Sequence, residues 1–325
     1  MATAVSNVIQ FPTEPVWDQG RLYAYQHRAI DHIKAHPNAM LWLDMGLGKT
    51  VATLTAYSDL REEFEVGALL VVASLRICQS VWKQEAQKWH HLRHLRFSLI
   101  LGTAPQRMAA LKRRADVYLI NYENLRWLAA QIKHLWLRKG HYPPFSMVAY
   151  DEVTRMKNTT AKRVREWRPV LPYFSRRVGL TGEPAANGYR DLHGQYLVVD
   201  GGQRLGSGIT AYREAFLKPL GYGGHGWVVT RTGQEQIHRR IADITLELSA
   251  EDYLDLPPVN YNTLWVDLPP QARAIYDRLE HEFFTELDSG AELEVVNEAS
   301  KINKLAQIAS GAAYLTPGGP WEEIH

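Results

Sequence analysis

The run Met40-Leu41-Trp42-Leu43-Asp44-Met45-Gly46-Leu47-Gly48-Lys49-Thr50 passes from four apolar residues through a glycine-rich bend into a helical pattern that starts at Val51. Strand, tight loop and helix in that order form the unit that cradles a phosphate in parallel α/β sheets. The glycines let backbone N–H groups close around phosphate oxygens, and the helix start adds partial positive charge. Lys49 is placed to reach β- and γ-phosphates, and Thr50 to hold Mg²⁺ through its hydroxyl. Leu43 stands where the strict G-x-x-x-x-G-K-[ST] pattern has its first glycine. The bland alternative is a glycine-rich turn whose lysine faces solvent, and the flanking strand and helix argue against it.

On both sides of this bend, short apolar runs alternate with longer helical patterns, as strand–helix–strand units of a parallel sheet do. Six strands are expected, at Met40–Leu43, Ala68–Ala73, Phe97–Leu101, Val117–Asn121, Met147–Asp151 and Arg177–Leu180. Crossover helices are expected at Val51–Leu60, Ile77–Trp89, Pro105–Arg114, Leu125–Leu137 and Ala161–Leu171. After Asp200, glycines at 201, 202, 206, 208, 221, 223, 224 and 226 punctuate a stretch without a long apolar run, which reads as an irregular extension with short helices. Near Leu256-Pro257-Pro258 a second unit begins, with a strand at Thr263–Asp267 and a helix opened by Pro269-Pro270 that runs to about Leu287. The expected organisation is a polar segment at 1–19, an α/β lobe at 20–200, an extension at 201–256 and the start of a second lobe at 257–325. That last stretch is too short for a complete α/β lobe of about 100 to 200 residues.

The second chemical signal is Val148-Ala149-Tyr150-Asp151-Glu152, a strand that runs into two adjacent acids. A carboxylate at a strand's carboxyl end lies on the ligand edge of an open α/β sheet, the same edge as the phosphate loop. Asp151 would hold Mg²⁺ there, and Glu152 would orient or deprotonate an attacking water. An isolated acidic pair is usually a solvated turn, so the reading depends on the loop that precedes it.

The totals narrow the rest. The 325 residues carry 46% hydrophobic and 22% charged side chains, enough for a full core, and a formal net charge of +2. So small an excess excludes a polybasic tail protein, and any nucleic-acid contact must come from locally placed Lys and Arg. A single cysteine, Cys78, excludes an internal disulfide framework and a cysteine-rich zinc site. The first residues lack the charged start and apolar run of a signal peptide, and no stretch stays apolar for the roughly 18 residues of a span. A cytoplasmic protein is expected. His90, His91 and His94 lack carboxylate or cysteine partners in sequence and read as a solvated helix end rather than a zinc site. The clusters Lys112-Arg113-Arg114 and Arg163, Arg165, Arg168 read mostly as solvated faces, with some available for a nucleic-acid backbone.

Taken together the motifs resemble a family. Leu22-Tyr23-Ala24-Tyr25-Gln26-His27, Asp44-Met45-Gly46-Leu47-Gly48-Lys49-Thr50, Asp151-Glu152-Val153-Thr154-Arg155-Met156-Lys157-Asn158 and Leu180-Thr181-Gly182-Glu183-Pro184 are similar, in order and spacing, to the Q, I, II and III motifs of superfamily-two helicases. They look most like Swi/Snf-type DNA translocases, including bacteriophage relatives. The likeness runs over nearly the whole chain from about residue 20. It implies a P-loop, RecA-like parallel sheet with helices on both faces, ATP and Mg²⁺ as cofactors, and double-stranded DNA as partner, with RNA left open. Gln26 matches the residue that recognises adenine in the family, with Tyr25 or an adjacent apolar side chain stacking on the base, and Met45 to Thr50 match the phosphate loop. Val71-Val72-Ala73-Ser74-Leu75-Arg76, followed by Trp82, Glu85 and Trp89, resembles a motif that touches the nucleic-acid backbone, with Ser74 where the family usually has Pro. Leu119-Ile120-Asn121-Tyr122-Glu123 resembles the next such motif, so Ser74, Arg76, Asn121, Tyr122, Thr181 and Gly182 are the nucleic-acid candidates. A strand end and a packed aromatic are the bland readings of Asn121 and Tyr122.

Three departures qualify the likeness. Val153-Thr154 replace the usual Ala-His after the acids, and Glu183 replaces the second Thr of Leu-Thr-Gly-Thr-Pro. Family members also place their arginine fingers on the second lobe, beyond His325; such arginines are worth about 10³ to 10⁵ in rate across P-loop enzymes. A second lobe or a partner protein would have to supply them. The expectation is an ATP-hydrolysing motor that moves on duplex DNA, weak as this chain alone. The alternatives are a single lobe that binds nucleotide or a partner without turnover, and a strand-separating helicase.

Overall fold

The computed structural model describes residues 16–136, 138, 140, 141, 143–186, 188–220, 226–253, 262–282, 284–287, 292–294, 298–316 and 319–325. The chain divides into two compact units, Met1–Leu256 and Pro257–His325. In the first, the strands are β1 (Asn38–Leu43), β2 (Ala68–Ala73), β3 (Phe97–Leu99), β4 (Val117–Asn121), β5 (Phe145–Asp151), β6 (Arg176–Thr181), an antiparallel pair β7 (Leu217–Leu220) and β8 (Gly226–Val229), and β9 (Thr245–Leu248). All but the β7–β8 pair form one parallel sheet in the order β3-β4-β2-β5-β6-β1-β9. Both faces are covered, so the central strands read as unbroken apolar runs. Along β2, Leu69, Val71 and Ala73 pack towards α1 (Ala24–Ala35), α2 (Lys49–Glu62), α3 (Leu75–Gln79) and α4 (Val81–Lys88). Leu70 and Val72 alternate with them and pack on the other face with α5 (Ala104–Lys112), α6 (Leu125–Leu135), α7 (Lys162–Trp167), α8 (Leu192–Asp200), α9 (Ile209–Phe216) and α10 (Arg231–Ile241).

The expected α/β class and the six central strands are present, and four details differ. The helix expected at Ile77–Trp89 is broken at Ser80, whose hydroxyl donates to Arg76 O at 3.0 Å in competition with the helical ladder. The helix expected at Ala161–Leu171 stops at Trp167 and tightens into a 3-10 run over Arg168–Tyr173, where Pro169 and Pro172 cannot donate α-helical bonds. β3 ends at Leu99 rather than Leu101, and Leu137 lies outside the described residues. The stretch 201–256 is not a separate irregular extension: α9 and α10 pack in the core, and β9 pairs with β1 from Met40↔Thr245 to Leu43↔Leu248. A four-residue strand at a sheet edge, Thr-Leu-Glu-Leu, is too short for its period to stand out.

In the second unit α11 (Pro270–Glu282) opens at Pro270 as expected, but Thr263–Asp267 is not a strand and the helix ends before Leu287. β10 (Phe284–Glu286) pairs with β11 (Glu292–Glu294), α12 (Glu298–Ala309) follows, and β12 (Ala312–Tyr314) pairs with β13 (Trp321–Glu323). Ile275, Leu279, Leu287, Leu305, Ile308 and Ala313 form its small core. No helix among the described residues is long and apolar enough to cross a membrane.

One buried charge at the far end of the sheet makes acid stability testable. Asp116, just before β4, meets the Arg96 guanidinium and backbone N–H and the Arg61 guanidinium, at 2.6–3.0 Å. Burial alone would push its carboxyl up, but these donors outweigh burial and hold it well below the ordinary carboxylate range. A depressed folded-state value means that the contribution is complete above the unfolded value of about 3.9 and is lost as pH falls through the folded one. Urea unfolding followed from pH 7 to pH 3 should therefore show stability falling less steeply for Asp116→Asn than for the parent chain.

Candidate nucleotide-binding site

Parallel pairing brings the expected site residues to one edge. β6 lies between β1 and β5, with Trp42 opposite Thr181 and Asp151 opposite Leu180, so the tips of all three strands point the same way. At the tip of β1 the chain bends through Gly46 (φ +87°) and Gly48 (φ +74°), a region where a Cβ is costly. At Gly48 a Cβ would also lie 2.2 Å from Gln26 Nε2. Leu47 is buried in the core and anchors the bend by its side chain, whereas Met45 is exposed. Lys49 opens α2 with Thr50, half-buried, behind it. Its ammonium donates to Leu43 O at 2.7 Å and Asp44 O at 3.2 Å, so it folds back onto its own loop. Burial lowers its pKa from the ordinary lysine value, while the charges of Glu152, Asp151 and Asp44 pull it back up.

The acidic pair is more heavily braced than its sequence reveals. Asp151 Oδ2 accepts from Trp82 Nε1 at 2.8 Å; burial raises its carboxyl above the ordinary value, and Trp82 opposes that rise. Glu152 is held at φ +62°, ψ +62°, unusual for a residue with a side chain. Its Oε1 accepts from Thr181 Oγ1 at 2.6 Å, and Thr181 Oγ1 in turn accepts from Glu183 N at 3.2 Å. The Tyr122 hydroxyl donates to Asp151 O at 2.9 Å and Glu152 O at 3.1 Å, and burial keeps that phenol protonated.

These contacts correct part of the nucleic-acid set. Tyr122 and Thr181 are fully buried with their hydroxyls turned to the acids, so neither reaches a nucleic-acid backbone. Asn121 is buried and bonded to Glu123 and Asn124, while Gly182 backs onto the phosphate loop, where a Cβ would sit 3.4 Å from Leu43 O. Trp82 and Trp89 are likewise interior, and Trp89 Nε1 donates to Glu85 Oε1 at 3.0 Å. Ser74 is the residue before α3 and makes no capping bond through its side chain, and Arg76 is exposed in the first turn. Sequence reasoning missed Arg155 and Arg163 as a pair: their guanidinium carbons lie 5.9 and 5.6 Å from the centre of the Tyr122 ring. Their spacing of eight residues across a loop gave no periodic signal.

A cleft of about 350 Å³ beside the phosphate loop is lined by Tyr23, Tyr25, Gln26, Gly46, Gly48 and Trp17 among others. Gln26 is buried with its Oε1 capping α1 through Tyr23 N at 3.0 Å. Tyr25 is covered by Tyr23 on one side (5.3 Å, 7° between planes) and by Tyr253 on another (5.1 Å), so the exposed Tyr23, not Tyr25, is the ring open to a base. Trp17 lies in the stretch expected to be merely polar, and reaches the cleft because Trp17 N donates to Lys88 O at 2.7 Å and Trp17 O accepts from His90 N at 2.9 Å.

The comparisons with known proteins agree with this geometry. Protein p41 of Acyrthosiphon pisum secondary endosymbiont phage 1 is 38% identical over 311 residues, which cover 93% of this chain and 66% of that protein. Helicase swr1 of Aspergillus fumigatus is 27% identical over 208 residues, 60% of this chain and 11% of its own length. In structure, the Sulfolobus solfataricus SWI2/SNF2 ATPase core in complex with dsDNA matches with a TM-score of 0.59 at 23% identity, over 91% of this chain and 60% of that one. This chain therefore spans two thirds or less of each of these proteins. The SNF2-related domain model matches residues 25–312, and with a phosphate loop and two acids at neighbouring strand tips of a parallel sheet, the chain belongs to the SNF2-related domain family.

Proposed function

We propose that this chain is the ATP-binding half of a motor that hydrolyses ATP and moves on double-stranded DNA. The observation that carries the reading is that Lys49, Asp151 and Glu152 share one sheet edge and interact electrostatically there. The residues fit a magnesium nucleotide. The bend turns through Gly46 and Gly48 at positive φ, the conformation in which backbone N–H groups can close on phosphate oxygens, and Lys49 donates to two loop carbonyls that a phosphate can replace. Lys49 would bind the β- and γ-phosphates, Thr50 and Asp151 would hold Mg²⁺, Glu152 would orient and deprotonate the water, and Tyr23 with Gln26 would take the base. Mg²⁺, when bound, neutralises charge on the phosphates. Thr181 keeps Glu152 turned along the edge, so its state is read by the loop that carries Gly182 and Glu183. Arg76 and Arg155, both exposed, supply positive charge for a duplex backbone, with half-buried Arg163 bracing Arg155 through its 2.7 Å bond to Arg155 O; such contacts are sequence-tolerant.

A second reading, a lobe that binds nucleotide without turnover, draws on Glu183, whose exposed carboxylate adds negative charge to the groove that also contains Glu152. Calorimetry with ATP and anisotropy of a labelled duplex separate the cases. The motor reading expects ATP binding, turnover that rises with duplex, and duplex affinity that falls roughly 100-fold between 50 and 200 mM salt if about four phosphates are neutralised. ATP binding with no turnover at any duplex concentration favours the second reading, and absence of ATP binding removes both.

A further inference from the structure

Two buried aromatic donors converge on the acidic turn from separate parts of the fold. Trp82 comes from α4, after β2, and is 0% exposed. Its only polar atom is spent on Asp151 Oδ2, at 2.8 Å. An indole N–H buried beside a half-buried carboxylate limits how that carboxylate can turn: it engages Oδ2 and leaves Oδ1 as the oxygen that it does not hold. Tyr122 follows β4, is also 0% exposed, and grips the turn through main-chain atoms, its hydroxyl donating to Asp151 O and Glu152 O. The backbone that it grips includes Glu152 in the left-handed region, a conformation that persists only where the surroundings over-determine it. Neither ring is placed to touch a nucleotide.

We propose that Trp82 and Tyr122 are positioning residues for the metal end of the site: Trp82 sets the direction of the Asp151 carboxylate, and Tyr122 sets the turn from which both acids project. The inference rests on the nucleotide reading above. It assigns to two motifs that resembled nucleic-acid contacts a different task, support of the metal-binding acid. Partners of this kind, acting through the ligands, typically change metal affinity 10- to 100-fold when removed.

The test uses Trp82→Phe and Tyr122→Phe in the full chain, because phenylalanine keeps an aromatic ring in the core and deletes the donor. Calorimetry measures ATP affinity in Mg²⁺ and again in EDTA. The expected result is that the gain in affinity conferred by Mg²⁺ shrinks about 10- to 100-fold in each variant, while affinity for metal-free ATP changes less than about twofold. In an Asp151→Ala background, Trp82→Phe should have no further effect on the magnesium-dependent gain. A merely structural role would weaken binding equally in both buffers, or shift only the melting temperature, and either outcome overturns the proposal. Should one variant fail to fold, the other decides. If the parent chain binds ATP in neither buffer, the nucleotide reading itself fails; if it shows a magnesium-dependent gain that both variants keep, only this inference does.

Discussion

Lys49→Ala is expected to weaken Mg·ATP binding by at least about 100-fold while leaving the fold about as stable as before. The ammonium is the one side-chain cation of the phosphate loop, and hydrogen bonds to charged groups contribute about 1.5–3 kcal/mol each. Contact with two phosphates therefore accounts for roughly 3 kcal/mol or more, a factor above 100. Stability behaves differently because the same side chain is costly in the free protein. Its half-buried charge is desolvated, and its two bonds to Leu43 O and Asp44 O are lost when alanine replaces it, so the opposing contributions nearly cancel. Alanine is also the best helix former at the opening of α2. A thermal midpoint within a few degrees of the parent, beside an ATP titration that no longer saturates, is the expected pair of results. A variant that binds ATP with unchanged affinity would show that Lys49 only closes its own loop, and the site would have to be sought elsewhere.

Why that site was legible, while its surroundings were not, follows from how far apart the cooperating residues lie. The phosphate loop is a local object: apolar run, glycines at positive φ, then a helix start, all within Met40 to Thr50. The central strands are local too, since burial on both faces makes them unbroken apolar runs such as Ala68–Ala73 and the Val-Tyr-Leu-Ile of β4 before Asn121. The direction taken by a side chain at a strand tip is not local. Tyr122 and Thr181 follow β4 and end β6, positions from which a side chain can face out towards a duplex or in towards the acids. Asp151, which ends β5, and Glu152, in the turn after it, settle the choice by offering acceptors to both hydroxyls. Trp82 is drawn inward by the same carboxylate from 69 residues away. β9 was lost for the complementary reason, because its identity lies in pairing with β1 across some 200 residues of chain rather than in four residues of its own.

Gly194→Val is expected to cost about 3 kcal/mol of unfolding free energy, the upper end of the range for overpacking a core, and to lower magnesium-dependent ATP affinity with it. Propensity points the other way: replacing a helical glycine by alanine ordinarily gains about 1 kcal/mol. The position decides the sign. Gly194 lies in α8, a helix buried along its whole length, and a Cβ there would stand 2.4 Å from the carbonyl oxygens of both Met156 and Lys157. Neither acceptor is the end of a flexible side chain, so the backbone of residues 156 and 157 has to move. That backbone completes the 3-10 turn Val153–Met156 that begins directly after Glu152, and Lys157 is tied to the start of α8 by its 2.9 Å bond to Asp191. Displacing it drags on the strained Glu152 and thus on the acids, so stability and metal-dependent binding should fall together, unlike Lys49→Ala, where they part. Alanine at the same position should fall between the parent and valine in urea unfolding. If Gly194→Ala instead raises the midpoint, as propensity alone would have it, α8 and the acidic turn are not in close contact and the link between them is lost.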